Sequence, residues 1–252
     1  MNRKRKRRAV MALILGSVGA LVVAGVAIGV PPTQTFSGRV TPTSLPKHSF
    51  APITAKINLD VTSGDANPPP KLLTATAIFD NQVRVNYKGM PTCNPSKIEN
   101  TTPPVARKAC KQSIIGTGFA NAKVTFPSQA PIDAPAPVTL FNGAPKGGNP
   151  QIIIHAYTTI PAPTTFIVPG VLRKVGGGKQ SITFQIPPIA GGYGTLVHFD
   201  TSIGKKFKVK GKSQSYANGK CAKGKITLEG DFAYEDGTAN HTTFSAKCQG
   251  KK

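Results

Sequence analysis

The chain has 252 residues, and its 26 glycines and 23 prolines exclude long helices over most of its length. Lysine and arginine together number 32 against 10 acidic residues, which gives a formal net charge of +22. Such a surface attracts anionic polymers and membranes in a salt-dependent way.

The first 30 residues predict an export segment. A basic run, Arg3 to Arg8, is followed by the apolar run Ala9–Val30, which is the pattern of a signal peptide. The apolar run is also long enough to span a bilayer as one helix, and the positive-inside rule directs the rest of the chain outward in both cases. We therefore predict that residues 1–30 are a cleaved signal peptide or a signal-anchor helix, with residues 9–30 in the membrane if uncleaved.

Two further regions follow. Residues 31–50 are rich in Pro, Ser and Thr, which predicts an extended linker. From residue 51 to residue 252, strand-like runs alternate with turn signals. Within this domain, Leu72–Phe79 and Gln82–Tyr87 are separated by Asp80-Asn81 and predict a hairpin.

The later strand-like runs continue to the end of the chain. Asp236-Gly237 predicts the tip of a C-terminal hairpin, and Val105–Gln112 is the one short helix predicted outside the export segment. The pattern predicts an all-β fold, an antiparallel β-sandwich of the Ig-like or jelly-roll-like type, behind the apolar N-terminal helix. The runs are AKVTF, PVTLF, QIIIHAYTTI, TTFIVPGVL, SITFQI, GTLVHFD, KKFKVK, KITLEGDFAY and HTTFSAKC.

Four cysteines lie in the predicted domain: Cys93, Cys110, Cys221 and Cys248. An even number of cysteines in an exported chain favours disulfides. We expect neighbours to pair, Cys93 with Cys110 and Cys221 with Cys248, because each pair brackets one compact segment. A zinc site is the alternative, although the spacing contains no CxxC motif.

His198 and Asp200 are the candidate catalytic residues. On a strand, positions two apart share a face, so a carboxylate could orient the imidazole as in a hydrolase. No GxSxG motif marks a nucleophile, and a polar, solvent-facing stripe is the preferred explanation of the pair. His155 stands in a strongly apolar run and is predicted to be a core histidine. We expect neither a bound metal nor a cofactor, since the histidines lack an HExxH spacing.

The strongest candidate surface is the lysine-rich stretch Gly204–Lys225. In KKFKVKGK, the residues Lys206, Lys208, Lys210 and Lys212 would share one face of a strand. Such a ladder suits a polyanion, whereas a solvated edge strand protected by lysines is the alternative. We expect an anionic wall polymer or lipid headgroups, and no nucleic acid, because the compartment is unsuitable and no aromatic stacking platform accompanies the lysines.

Several stretches together resemble a family of uncharacterised exported proteins from high-GC Gram-positive bacteria. The resemblance covers roughly residues 70–248, and it implies export and a shared β-rich domain without assigning catalytic residues. The stretches are GMPTC (Gly89–Cys93), ACKQSIIGTGFANAKVTFP (Ala109–Pro127), PVTLFNGAPKGGNPQIIIHAYTTIPAPTTFIVP (Pro137–Pro169) and IPPIAGGYGTLVHFDTSIGKKF (Ile186–Phe207).

The sequence therefore predicts an exported, non-catalytic protein of the cell envelope. In this hypothesis, a lysine-rich face binds an anionic wall polymer or a partner at the outer face of the cytoplasmic membrane or in the medium. The alternative is a secreted hydrolase that acts on a polysaccharide or an ester through His198 and Asp200.

Overall fold

The computed structural model describes residues 32–63 and 68–251. The predicted export segment, residues 1–30, lies outside these ranges. Within them, no helix is both long enough and apolar enough to cross a membrane.

The described chain consists mainly of strands, which confirms the all-β prediction. Its short α-helix begins with two prolines, which suit the first turn of a helix. The elements are β1 (Thr33–Thr41), β2 (Ser44–Pro46), β3 (Ala51–Pro52), β4 (Thr54–Thr62), β5 (Leu72–Phe79), β6 (Val83–Val85), α1 (Pro103–Ala109), β7 (Ile114–Val124), β8 (Ile132–Lys146), β9 (Asn149–Thr158), β10 (Thr164–Lys174), β11 (Gln180–Gln185), β12 (Gly194–Ile203), β13 (Lys206–Val209), β14 (Lys212–Ser215), β15 (Ala217–Gly219), β16 (Lys225–Tyr234), β17 (Ala239–Lys247) and β18 (Gln249–Lys251).

Eleven of these strands form one continuous antiparallel sheet. The strand order is β1-β4-β12-β7-β8-β9-β10-β11-β5-β16-β17. The edge strands β1 and β17 come within 8 Å of each other between Cα atoms, although no backbone ladder joins them in the part of the chain described. The sheet is therefore nearly closed around its own core, and we call the gap between β1 and β17 the seam.

This topology corrects the prediction of a sandwich of two stacked sheets. Alternating apolar and polar residues show only that each strand buries one face, and a closing sheet meets that requirement as well as two stacked sheets do. The deciding feature is long-range pairing: β5 pairs with both β11 and β16, and so connects the central hairpins to the C-terminal hairpin without a break.

Two local predictions are also corrected. Residues 33–41, predicted as part of the linker, form β1 and pair along their whole length with β4. Their outward Ser and Thr residues resemble a linker in composition, but Phe36 packs with the buried Leu59 and Phe232. The run Gln82–Tyr87 does not form a hairpin with β5, because β6 pairs with β15 instead. The hairpin with Asp236-Gly237 at its tip, between β16 and β17, is confirmed.

The two ends of the sheet are covered differently. At the end where β12 finishes and β16 begins lie the hairpin β13-β14, the small sheet β3-β15-β6 and the parallel pair β2-β18. Tyr216, between β14 and β15, is fully buried there in the same cluster as Leu140, Ile152 and Ile182. We call this end the basic end, after the lysines between residues 205 and 225, and the other the opposite end.

Both predicted disulfides are confirmed. Cys93 bonds to Cys110 and Cys221 to Cys248, with Cα–Cα distances of 5.5 and 6.0 Å. The zinc alternative is therefore wrong, because no cysteine remains free. Disulfides of this kind are typical of oxidising compartments outside the cytoplasm.

The first disulfide holds a segment, residues 93–113, on the outside of the sheet. Cys93 and Cys110 pack in one buried cluster with Phe141 of β8 and Ile153 of β9. His155 is completely buried beneath this segment, and its Nε2 lies 3.1 Å from the Thr101 carbonyl oxygen. Burial lowers the pKa of His155, which agrees with the predicted core histidine.

Candidate functional site

The lysine-rich stretch forms a hairpin rather than one strand. Lys210 and Gly211 both have positive φ angles, 48° and 78°, which is the requirement of a two-residue type I′ turn. In the paired strands, Lys208 lies opposite Ser213 and Lys212 lies opposite Val209. Because cross-strand partners share a face, Lys212 lies on the Val209 face and Lys208 lies on the other.

The predicted ladder of four lysines on one strand face is therefore wrong. Lys206 and Lys208 share one face of the hairpin, Lys210 stands at its tip and Lys212 lies on the opposite face. All four side chains are exposed. Whether they bind a polyanion stays a prediction, but the hairpin presents their charges around its tip rather than in a single row.

The hairpin belongs to a larger group of lysines at the basic end. No acidic residue occurs between Thr201 and Leu228, and none of these lysines forms an ion pair with a described residue. The nearby Asp80 is occupied otherwise: its carboxylate accepts hydrogen bonds from the backbone amides of Gln82 and Thr227 at 2.9 Å each. We call these eight lysines the basic set: Lys205, Lys206, Lys208, Lys210, Lys212, Lys220, Lys223 and Lys225.

A polar groove of about 440 Å³ opens beside the hairpin. Within it, the Arg84 guanidinium lies 4.2 Å from the centroid of the Phe50 ring, and the Lys220 ammonium lies 5.3 Å from the same centroid. Asn86 Nδ2 donates to Gln214 Oε1 at 3.0 Å. This groove could not be predicted from the sequence, because its residues are far apart in the chain and Phe50 stood in the predicted linker.

His198 lies on the outer face of the sheet, between two carboxylates. Its Nδ1 is 2.6 Å from Asp60 Oδ1, and its Nε2 is 3.2 Å from Asp200 Oδ2. Asn58 Nδ2 donates to the other Asp60 oxygen at 2.6 Å. The predicted pairing of His198 with Asp200 is thus observed, whereas Asp60 of β4 was missed because the contact crosses between strands distant in sequence.

This arrangement favours a charged imidazole. Burial by itself lowers the pKa of His198, but hydrogen bonds and charge from Asp60 and Asp200 outweigh it, and the net pKa is raised. Both ring nitrogens are engaged, and no hydroxyl or thiol of the described residues bonds to either. A general base needs a free nitrogen directed at its proton donor, so the geometry is that of a structural bridge.

The described residues contain no group of three or more His, Cys, Asp and Glu side chains that could hold a metal ion. His241 is paired with Asp231 at 2.6 Å on the outer surface, apart from the His198 group.

Comparison of the chain with protein-family models, with curated proteins and with solved structures gives no match.

Proposed function

We propose that this protein is an exported, non-catalytic protein of the cell envelope that binds an anionic wall polymer through its basic end. The observation that carries the proposal is the basic set, eight lysines without an ion-pair partner among the described residues. The family resemblance and the leader segment support export, and both remain part of the proposal.

The placement of charge supports a polyanion as the ligand. Lysines outside the basic set form ion pairs, as between Lys71 and Glu235, Lys123 and Asp133, and Lys179 and Glu229. The lysines of the basic set are left to bind external charge. Unpaired charges on one surface attract oppositely charged polymers, and salt screens that attraction.

The shape of the hairpin indicates how such a polymer is recognised. Lys206, Lys208 and Lys212 point to both faces of a narrow ribbon, and Lys210 occupies its tip. A surface of this kind responds to charge density along a flexible chain rather than to one fixed spacing. Phosphate-rich or carboxylate-rich wall polymers have that character.

The alternative function, a secreted hydrolase, receives less support. His198 bridges Asp60 and Asp200 with both ring nitrogens, and no nucleophile adjoins it among the described residues. The imidazolium instead balances two carboxylates on the outer face. Loss of hydrolytic activity in His198→Ala, in a folded protein, would overturn this ranking.

A charge-reversal experiment with a matched control tests the proposal. The test variant changes Lys206, Lys208, Lys210 and Lys212 to Glu. The control changes four exposed lysines away from the hairpin to Glu, and so has the same net charge: Lys97, Lys108, Lys111 and Lys174.

Binding is measured by co-sedimentation with purified anionic wall polymer and with anionic vesicles, at low and at high salt. We expect the test variant to lose affinity for the polymer by about tenfold or more, since four attractive charges become repulsive. The control loses much less. Equal losses in the two variants would show that net charge alone acts, and unchanged binding in the test variant would show that the site is elsewhere. Binding to vesicles but not to polymer would identify lipid headgroups as the ligand.

A further inference from the structure

The interior of the sheet contains two adjacent apolar cavities. The larger, of about 110 Å³, is bounded by side chains from eight strands, which places it inside the nearly closed sheet. The smaller, of about 90 Å³, lies toward the opposite end. Ile154, Ile186 and Leu196 line both cavities, so the two cavities adjoin at these side chains.

The cavities remain open because small residues occupy many inward positions of the sheet. Closed sheets of about eight strands are just filled by their side chains, and wider ones enclose room for a ligand. Here eleven strands surround the core, and alanines occupy many inward positions. They are Ala75 and Ala77 in the larger cavity, with Ala120, Ala122, Ala134, Ala136 and Ala156 in the smaller.

The cavity walls are apolar, so they match a hydrocarbon ligand and disfavour a charged one. Isoleucine, leucine, phenylalanine and alanine form nearly all of the lining. The lining hydroxyls of Thr201 and Thr158 already donate to the carbonyl oxygens of Thr117 and Ile160. Apolar cavities of roughly 150 Å³ remain dry and bind small apolar molecules, so these cavities are within the useful range.

The cavities together are elongated. The larger includes Ile203, at the end of β12, and the smaller includes Ile189, just before β12 begins. The combined space therefore runs along most of the sheet interior. A single linear alkyl chain fits such a shape better than a compact ring does.

A buried polar group without a partner lies beside the larger cavity, at the opposite end of the sheet. Tyr234 is only 3% exposed, and its hydroxyl has no hydrogen-bond partner among the described residues. Tyr234 packs in one cluster with Leu59, Leu72 and Phe232, all of which line the larger cavity. Buried tyrosine hydroxyls usually have a partner, so a ligand atom would satisfy this one.

The surroundings of Tyr234 disfavour an anionic ligand head. Burial, together with the charge of the nearby Asp236, raises the pKa of the Tyr234 hydroxyl, which therefore stays a neutral donor. Gln34, on β1 at the same end of the sheet, also has buried amide atoms without a described partner. An uncharged hydroxyl or ester head matches both groups.

We propose that the interior of the sheet is a binding site for one linear alkyl chain whose uncharged polar head lies near Tyr234. The site does not depend on the basic end, so failure of one proposal leaves the other standing. The seam offers a route for entry, because Phe36 of β1 lines the larger cavity and no described ladder joins β1 to β17.

Titration of the protein with 1-decanol, with decanoate and with xenon tests this site, with affinities measured by NMR. We expect saturable binding of 1-decanol and of xenon, and weaker binding of decanoate at neutral pH. The double variant Ala77→Leu with Ala136→Leu fills both cavities. It should weaken the affinity for 1-decanol by about tenfold or more. Ala144→Leu, at an exposed position of β8, is the matched control and should leave the affinity unchanged.

The variant Tyr234→Phe tests the contact of the ligand's polar head independently of the contacts of its alkyl chain. It should weaken the affinity for 1-decanol severalfold. Xenon binding should stay unchanged, because xenon contacts only the apolar walls of the cavity. If the leucine variant fails to fold, Ala77→Val with Ala136→Val takes its place. The proposal is overturned if the wild type binds neither 1-decanol nor xenon, or if filling the cavities leaves both affinities unchanged. Unchanged 1-decanol affinity in Tyr234→Phe would overturn the position given to the head.

Discussion

At the opposite end of the sheet, lysines meet carboxylates: Lys71 lies 2.8 Å from Glu235, and Lys123 lies 2.9 Å from Asp133. At the basic end, the eight lysines of the basic set have no such partner among the described residues. The two ends also differ in construction, because the Cys221–Cys248 disulfide and the short strands are found at the basic end.

The difference shows that eight unpaired cations are gathered at one end. A chain with 32 basic and 10 acidic residues must leave many cations unpaired, but it need not gather them in one place. Here the eight lysines of the basic set lie on one surface, which is held by the Cys221–Cys248 disulfide. Three changes test this difference between the two ends.

The largest effect is expected from removing the covalent link of the basic end. Cys221 and Cys248 close a loop with a sequence separation of 27, and replacing both with Ser should lower the free energy of unfolding by about 3 kcal/mol, by the loop-entropy relation. Chemical denaturation measures this change. Hydrogen exchange should quicken first at β15 and β18 and least at the opposite end. Uniform acceleration throughout the sheet would show that the two ends unfold as one unit.

A smaller effect is expected from pH at the outer face. The folded-state pKa of His198 is raised by Asp60 and Asp200, so its stabilising contribution is complete below the unfolded pKa and is lost as pH rises through the folded pKa. The wild type should exceed His198→Gln in unfolding free energy at pH 6 by less than about 1 kcal/mol, since the pair is partly exposed.

The same difference should shrink by pH 8.5, and urea denaturation of both proteins at the two pH values measures it. An equal difference at both pH values would show that the carboxylates do not hold His198 in its charged form.

The smallest effect is expected from uncoupling the ion pairs at the opposite end. Glu235→Gln with Asp133→Asn leaves Lys71 and Lys123 without their partners and raises the net charge by two. Affinity for the anionic polymer should rise by only about twofold, since exposed pairs contribute little. Co-sedimentation at low salt measures the change. A gain as large as the loss from the hairpin variant would mean that the location of the lysines has no importance.

Much of the fold could be predicted from local patterns. The strand-like runs located β5 and β16, and the spacing of the cysteines indicated both disulfides. The closure of the sheet could not be predicted, because it depends on β5 pairing with strands far away in sequence. The predicted hairpin after Leu72–Phe79 failed for the same reason: β6 found its partner in β15.

The candidate sites show the same limit. Lysine content identified the region of the basic end, but one residue, Gly211 with its positive φ, turned a predicted ladder into a hairpin. The contacts of His198 with Asp60, and of Arg84 with Phe50, join segments that no local spacing connects. The interior cavities arise from alanines on neighbouring strands. In the sequence, each of these alanines is indistinguishable from an ordinary core residue, so the cavities could not be predicted.

The direction of β1 places the start of this strand at the opposite end of the sheet from the basic end. Thr33 starts β1 at the opposite end, and the strand runs for nine residues to Thr41 at the basic end, a length of about 30 Å. If the chain is anchored through residues that precede β1, the basic end lies up to about 30 Å from the attachment point. Charges separated from a bilayer by more than about 8 Å are largely screened from it at physiological ionic strength. A tethered molecule would therefore reach outward, toward the wall, with its lysines.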